Sequence, residues 1–302
     1  MHIPVLVEKV IEFLNPKENH IYVDATLGCG GYVREIFKKC PNCKIIGIDL
    51  DEEAIQFCNI YFKNFIQNDN LIIIKDNFIN LKKILKNLNI EKINGGIIFD
   101  FGLSMLQIKS GRGFSFNDES LDMRIDPSTT KLTAEYILNN FSEQQLSEIF
   151  YKFGEERYSK LIAKKIVEYR KNKKITKAKE LKEIVSNIIK KKKKKIFFPS
   201  NKEILEIKFT PATKVFQALR IFINNELENI EKGIDEAIDV LDKNAKIIAI
   251  SYHSLEDRIV KNKFRERKDC KVITKKPITP DILEIKTNLS ARSAKMRVAE
   301  KI

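Results

Sequence analysis

The chain has 302 residues, a formal charge of +14, a pI of about 9.4 and 43% hydrophobic content, enough for one large or two modest domains with a core, which excludes a disordered chain. No apolar stretch approaches the length of a bilayer crossing and the start lacks a basic-then-apolar leader, so a membrane partner is excluded and a cytoplasmic protein is expected. The charge favours a polyanion such as nucleic acid, although a general drift toward Lys, Ile and Asn raises it equally well.

Cys29, Cys40, Cys43, Cys58 and Cys270 show no repeated spacing, so no disulfide framework is expected. Cys40-Pro41-Asn42-Cys43 has the gap of a zinc or redox pair, but no second pair completes a site, and no metal is expected.

In chain order, His2 reads as a solvated terminal side chain ahead of a short amphipathic helix over Val7 to Leu14. Ile21-Tyr22-Val23-Asp24 is an apolar run ending in a carboxylate; Gly28, Gly30 and Gly31 follow, and Val33 to Lys39 is helix-like. Strand, tight loop and helix start form a ligand-binding corner, because glycines take positive φ and let backbone N–H groups approach a ligand at a helix N-terminus. Lys44 to Asp49 is a second apolar run ending in an acid, at the separation where doubly wound folds place the carboxylate that binds a ribose. Dinucleotide sites carry a further glycine in the first helix, and Val33 to Ile36 has none. Asp24 suits a cationic ligand such as S-adenosylmethionine better than a pyrophosphate; its other reading is a turn or capping acid.

The next strands are Leu71 to Ile74, after which Asp76 and Phe78 reach the same crevice, and the stretch Gly95 to Gly102, whose strand ends at Asp100. Phe78 reads either as a wall for a purine or as core. Alternating strand and helix predicts a parallel sheet covered on both faces. From Ser110 to about Phe209 the periodicity is helical with no convincing strand, over Ala134–Asn140, Glu143–Phe153, Glu155–Arg170 and Ala178–Lys190. The run Lys190 to Lys195 is a phosphate-contacting loop or a merely solvated one. A long helix is predicted from near Pro211, with Phe216, Leu219, Ile223, Leu227 and Ile230 facing the core, and Lys246 to Ser251 restores the sheet. The expected organisation is therefore a discontinuous domain, 1–109 with 210–302, around an inserted helical domain, 110–209.

Several stretches match one family together: Asp24-Ala25-Thr26-Leu27-Gly28 with Gly30-Gly31, Gly47-Ile48-Asp49, Arg112-Gly113-Phe114-Ser115-Phe116, Leu121-Asp122-Met123-Arg124, Gly154-Glu155-Glu156-Arg157, Pro211-Ala212-Thr213, Phe216 to Ile221, His253 to Arg258 and Ala291-Arg292-Ser293-Ala294. In this order they make the chain resemble, nearly end to end, the RsmH (MraW) family of small-subunit ribosomal RNA methyltransferases. The resemblance implies an α/β, Rossmann-like fold with an inserted all-helical, RNA-substrate domain. It also implies S-adenosylmethionine-dependent methylation of the exocyclic amino group of a cytidine in the decoding region of small-subunit ribosomal RNA, with a subunit particle the expected partner and the choice between naked RNA and particle left open by the sequence. Oligomeric state, monomer or dimer, stays open. The cofactor contacts carry over to Gly30, Gly31, Tyr32, Asp49, Phe78, Asp100 and Gln107. Cys29 and Tyr32 stand where the family usually has arginine and histidine, Met105-Leu106 where it has serine and proline, and Tyr252 where it has phenylalanine.

Methyl transfer to a cytosine amino group requires a hydrogen-bond acceptor that turns the nitrogen lone pair toward the methyl group. Asp100 is the candidate for that role, the alternative being cofactor binding alone. Arg112, Phe114, Phe116 and Arg124 are candidates for stacking on a splayed base or holding its phosphates, or else for bracing a packed loop. His253 and Arg258 belong to a second candidate substrate segment, where the histidine is a proton acceptor or part of a helix-capping, ion-paired turn. Two other readings are carried: a methyltransferase acting on another substrate class, and a non-catalytic RNA-binding assembly factor.

Overall fold

The computed structural model describes residues 4–189, 192–198 and 203–302; His2 and the first two lysines of the 190–195 run lie outside them. Nine strands are formed among the described residues: β1 (Ile21–Asp24), β2 (Lys44–Asp49), β3 (Leu71–Lys75), β4 (Gly96–Asp100), β5 (Lys192–Phe198), β6 (Glu203–Phe209), β7 (Lys246–Ser251), β8 (Cys270–Val272) and β9 (Lys295–Lys301). The chain folds into two compact units, one of residues up to Leu106 with Leu227–Ile302, the other Gln107–Glu226.

The first unit is a seven-stranded sheet in the order β3-β2-β1-β4-β7-β9-β8. The first five strands in that order are parallel, and β9 runs antiparallel to both β7 and β8. This is the α/β, Rossmann-like fold expected from the sequence. Both faces are covered, so the strands are continuously apolar: Ile45, Ile46, Ile48, Ile97, Ile98 and Phe99 are all fully buried. Successive side chains point to opposite faces and divide the core in two. Ile45, Ile98 and Ile248 pack with Val10, Val33 and Ile36, whereas Ile46, Ile97, Phe99 and Ile247 pack with Leu81, Ile234 and Val260. Cys40 and Cys43 are free thiols in the first of these clusters, an apolar role for the pair. From β1 the chain proceeds outward through β2 and β3, then returns to add β4 and β7 on the other side. The reversal falls between β1 and β4, the point at which doubly wound sheets open a crevice beyond their carboxyl ends.

The second unit packs the helices Ala134–Asn140, Glu143–Gly154, Ser159–Arg170, Ala178–Ile188 and Thr213–Asn224 around one core that includes Leu146, Phe150, Ile162, Leu181, Phe216 and Leu219. Ser142 starts the second of these with a capping box closed by Gln145. Two expectations are corrected. The unit is not all helical, because β5 and β6 form an antiparallel hairpin with Lys192 opposite Phe209 and Phe198 opposite Glu203. The predicted long helix is two helices, Thr213–Asn224 and Glu226–Val240, divided at Asn225, which is left-handed with φ 50°. Asparagine tolerates that conformation better than most residues. The first of the two helices groups with the helical unit, so that unit ends at Glu226, beyond the expected 209.

Gly154 marks a tight helix crossing: a Cβ there would lie 2.5 Å from the Lys214 carbonyl oxygen and 3.2 Å from the Ala218 Cβ. Backbone cannot yield as a flexible side chain does. Gly154→Ala is therefore expected to lower stability by about 1–3 kcal/mol, read as a reduced urea midpoint with an unchanged m-value.

Candidate functional site

The carboxyl ends of β1, β2 and β4 each carry an aspartate. Asp24 is fully buried; its Oδ1 accepts the Thr26 N–H at 3.3 Å, and its Oδ2 is buried with no hydrogen-bond partner. Burial pushes its carboxyl up to about 7, against the Thr26 hydrogen bond and with the help of the nearby Asp100 and Asp49 charges. Asp49 accepts the Gly28 N–H on Oδ2 at 2.7 Å and the Asp51 N–H on Oδ1 at 2.9 Å. Burial still raises it to about 6, because those bonds only partly offset the loss of water. Asp100 is likewise raised to about 6 by burial, and its Oδ1 has no donor. Three acids whose ionised forms are disfavoured, two with an idle oxygen, make a cluster that a cation would stabilise.

The glycine loop is fixed to these strand ends. The Asp100 N–H donates to Thr26 Oγ1 at 2.7 Å, tying the loop after β1 to the end of β4. Gly47 leaves room for Leu27, whose side chain would sit 2.8 Å from a Cβ there, so the loop is seated on β2. Gly28 and Gly30 take φ 50° and 67°, conformations that only glycine adopts at little cost. A Cβ on Gly30 would strike the Phe62 ring at 2.3 Å, and one on Gly31 would strike Pro4 at 2.9 Å. These two glycines are thus required by protein packing beneath and above the loop. Gly28 has the more open surroundings, with Ser104 Cβ at 3.8 Å its nearest neighbour.

The remaining candidates fall into place as follows. Tyr32 is buried in the first turn of Gly31–Lys39, its hydroxyl 2.7 Å from the Val5 carbonyl and 3.4 Å from Asp100 Oδ2. Phe78 is partly buried and packs edge-on against Phe99 with centroids 5.4 Å apart, and a Cβ on Gly233 would meet its ring at 2.4 Å. Asp76 accepts from Asn77 and Asn80, bracing the turn that holds Phe78. His253 caps the helix Ser254–Glu266: its Nδ1 accepts the Glu256 N–H at 3.4 Å, while Glu256 Oε2 accepts the Tyr252 and His253 N–H groups at 2.6 and 3.3 Å. Arg258 is exposed on that helix.

In the helical unit, Gln107 is nearly buried and its carbonyl accepts from Ser110 Oγ at 2.8 Å. Arg124 is paired with both Asp122 oxygens at 2.6 and 2.7 Å and donates to the Thr130 carbonyl. Arg112 donates to the Ile125 carbonyl at 3.0 Å and lies over the Phe114 ring at 5.6 Å, and Phe116 packs on Phe216. These four side chains brace their own loop. Sequence reasoning missed Thr26 as the latch onto β4, and treated Tyr252 only as a departure, although its ring packs against Gly102, two residues beyond Asp100. The hydroxyl two residues beyond the strand-end acid was the available signal for Thr26; nothing local marks Tyr252.

A family model described as the MraW methylase family matches residues 1–302. The chain is 47% identical to the ribosomal RNA small subunit methyltransferase H of Sulfurihydrogenibium sp. (strain YO3AOP1), over 100% of this chain and 99% of the relative. It is 46% identical to the protein of that name from Thermosipho melanesiensis, over 100% and 98%, and 42% identical to that from Neorickettsia sennetsu, over 100% and 96%.

The raised Asp24 carboxyl has a stability consequence. Its folded value near 7 exceeds the unfolded value of 3.8, so the folded state holds the proton more tightly, and stability falls as pH rises from about 4 to 7. Asn carries no such penalty. Without ligand, Asp24→Asn is expected to melt several degrees above wild type at pH 8, with the gap closing by pH 4, in parallel calorimetric scans.

Proposed function

Since this chain belongs to the MraW methylase family, we propose that it transfers the methyl group of S-adenosylmethionine to the exocyclic amino nitrogen of a cytidine in small-subunit ribosomal RNA, presented in the decoding region of a subunit particle. The observation that carries the reading is the placement of Asp24, Asp49 and Asp100 at the carboxyl ends of adjacent parallel strands beside a glycine loop, close enough for their charges to oppose one another. The residues fit the cofactor: a cationic ligand supplies the counter-charge that three crowded carboxylates lack, and Asp24 Oδ2 and Asp100 Oδ1 are acceptors without donors. When bound, S-adenosylmethionine supplies an electrophilic methyl group on a sulfonium.

The chain's own residues would then divide the work. Asp49 spends one lone pair of each oxygen on the Gly28 and Asp51 amides and keeps others for a ribose diol. Phe78 offers an apolar wall, steadied by Phe99 and Phe101. Gly30, Gly31 and Tyr32 build the turn and first helical residue behind the ligand. Asp100 Oδ1 accepts a proton of the target amino group, drawing the nitrogen out of the ring plane so that its lone pair faces the methyl. Gln107 stays a cofactor candidate from the resemblance.

The helical unit carries the RNA. Its exposed Lys152, Arg157, Lys160 and Lys164 provide sequence-independent phosphate contacts, and the exposed Tyr151 and Tyr158 offer stacking surfaces. Arg112, Phe114, Phe116 and Arg124 act on RNA through the loop they brace, and His253 and Arg258 bound a second substrate segment. No helix among the described residues is long and apolar enough to cross a membrane.

The test supplies tritiated methyl donor with naked ribosomal RNA, small subunits, protein and metabolite fractions, followed by mass mapping of methylated cytidines. Label confined to a cytidine amino group in small-subunit RNA is expected; label in another fraction refutes the substrate, and no donor binding by calorimetry refutes the enzyme. Asp100→Asn at saturating donor should lower kcat by about 100-fold or more, whereas normal turnover would remove Asp100 from acceptor activation.

A further inference from the structure

Two phenols converge on Asp100 from separate elements. Tyr252 follows the end of β7, and its ring lies against Gly102, two residues beyond Asp100. Tyr32 reaches the same group from the helix after the glycine loop, 3.4 Å from Oδ2. Oδ1 is left without a donor. We propose that Tyr252 and Tyr32 are positioning residues that orient the Asp100 carboxylate and reserve its Oδ1 for the cationic methyl donor or the target amine, an inference that rests on the methyl-transfer reading above.

The placement of Tyr252 is built in. Its ring lies across Gly102, where a Cβ would come within 2.6 Å of it, so the residue two beyond Asp100 has to be glycine for the phenol to reach back. Its backbone is held as well, since Glu256, fully buried, accepts the Tyr252 N–H at 2.6 Å. Tyr32 is more loosely committed. A hydroxyl has one proton, and at 2.7 Å the Val5 carbonyl is the better acceptor than Asp100 Oδ2 at 3.4 Å. On this proposal Tyr252 gives its proton to Asp100, while Tyr32 keeps its proton mainly on Val5 and adds the weaker contact.

The electrostatics agree. Burial raises both phenols well above their ordinary value, so they stay protonated and able to donate. The charged groups facing Asp100 are Asp24 from β1 and Glu256 from the helix Ser254–Glu266, both acids that oppose its ionisation. The two phenols are the hydrogen-bonding side chains that favour it.

The test uses the full chain without ligand, labelled with 13C at aspartate carboxyls, with the Asp100 signal assigned by its loss in Asp100→Asn. Tyr252→Phe is expected to raise the Asp100 titration midpoint by about one pH unit, a tenfold change, and Tyr32→Phe by about half a unit. A midpoint unmoved in both variants overturns the inference. A second measurement, calorimetry with S-adenosylmethionine, should show Tyr252→Phe weakening binding about fivefold at pH 6, by well under twofold at pH 8, and not at all when added to Asp100→Asn. Equal weakening at both pH values, or undiminished weakening beside Asp100→Asn, would make the ring a packing element and overturn the inference. The titration needs no ligand. A wild-type chain that bound no S-adenosylmethionine would sink the methyl-transfer reading while the titration still decided whether the phenols govern Asp100.

Discussion

Like charges held close together in a place poor in water are the constraint from which the rest of this site follows. Each of Asp24, Asp49 and Asp100 ends an apolar strand, and the parallel pairing of β1 with β2 and β4 brings those ends side by side. The fold therefore carries an electrostatic debt until a positive ligand arrives. Backbone amides from Gly28, Thr26 and Asp51 and the two phenols lessen the strain without cancelling it. Discrimination between a charged methyl donor and its neutral-sulfur product would follow from the same arrangement, since only the former satisfies the acids fully.

The sequence disclosed those acids because each stands at a simple boundary, an apolar run giving way to a carboxylate before a turn, and the fold class because strand and helix alternate regularly. It was a poorer guide to cause. Gly30 and Gly31 were legible as special, but their necessity comes from Phe62 and Pro4, about 30 residues away on either side in sequence terms, and no local pattern announces such a neighbour. Tyr252 is more than 150 residues from the aspartate it supports, and only the β4–β7 pairing makes them adjacent.

The helical unit shows the complementary limit. Phe216, Leu219, Ile223, Leu227 and Ile230 keep helical spacing straight through Asn225, so periodicity could not reveal that one left-handed residue divides the stretch between two units. The hairpin was hidden differently. Its first strand begins in a lysine run that composition assigns to solvent, while Leu205, Ile207 and Phe209 alternate with charged residues in the second, a period of two that was present and outweighed by the surrounding helices.

Pro4 roofs Gly31, and the Val5 carbonyl competes with Asp100 for one phenolic proton. The opening residues of the chain are in that sense part of the binding wall. Engineering at this end, a fused purification handle or a trimmed start, reaches the glycine loop directly, whereas β9 runs antiparallel to β7 and finishes beside the start of that strand, away from the carboxyl ends that carry the aspartates, which makes it the safer point of attachment.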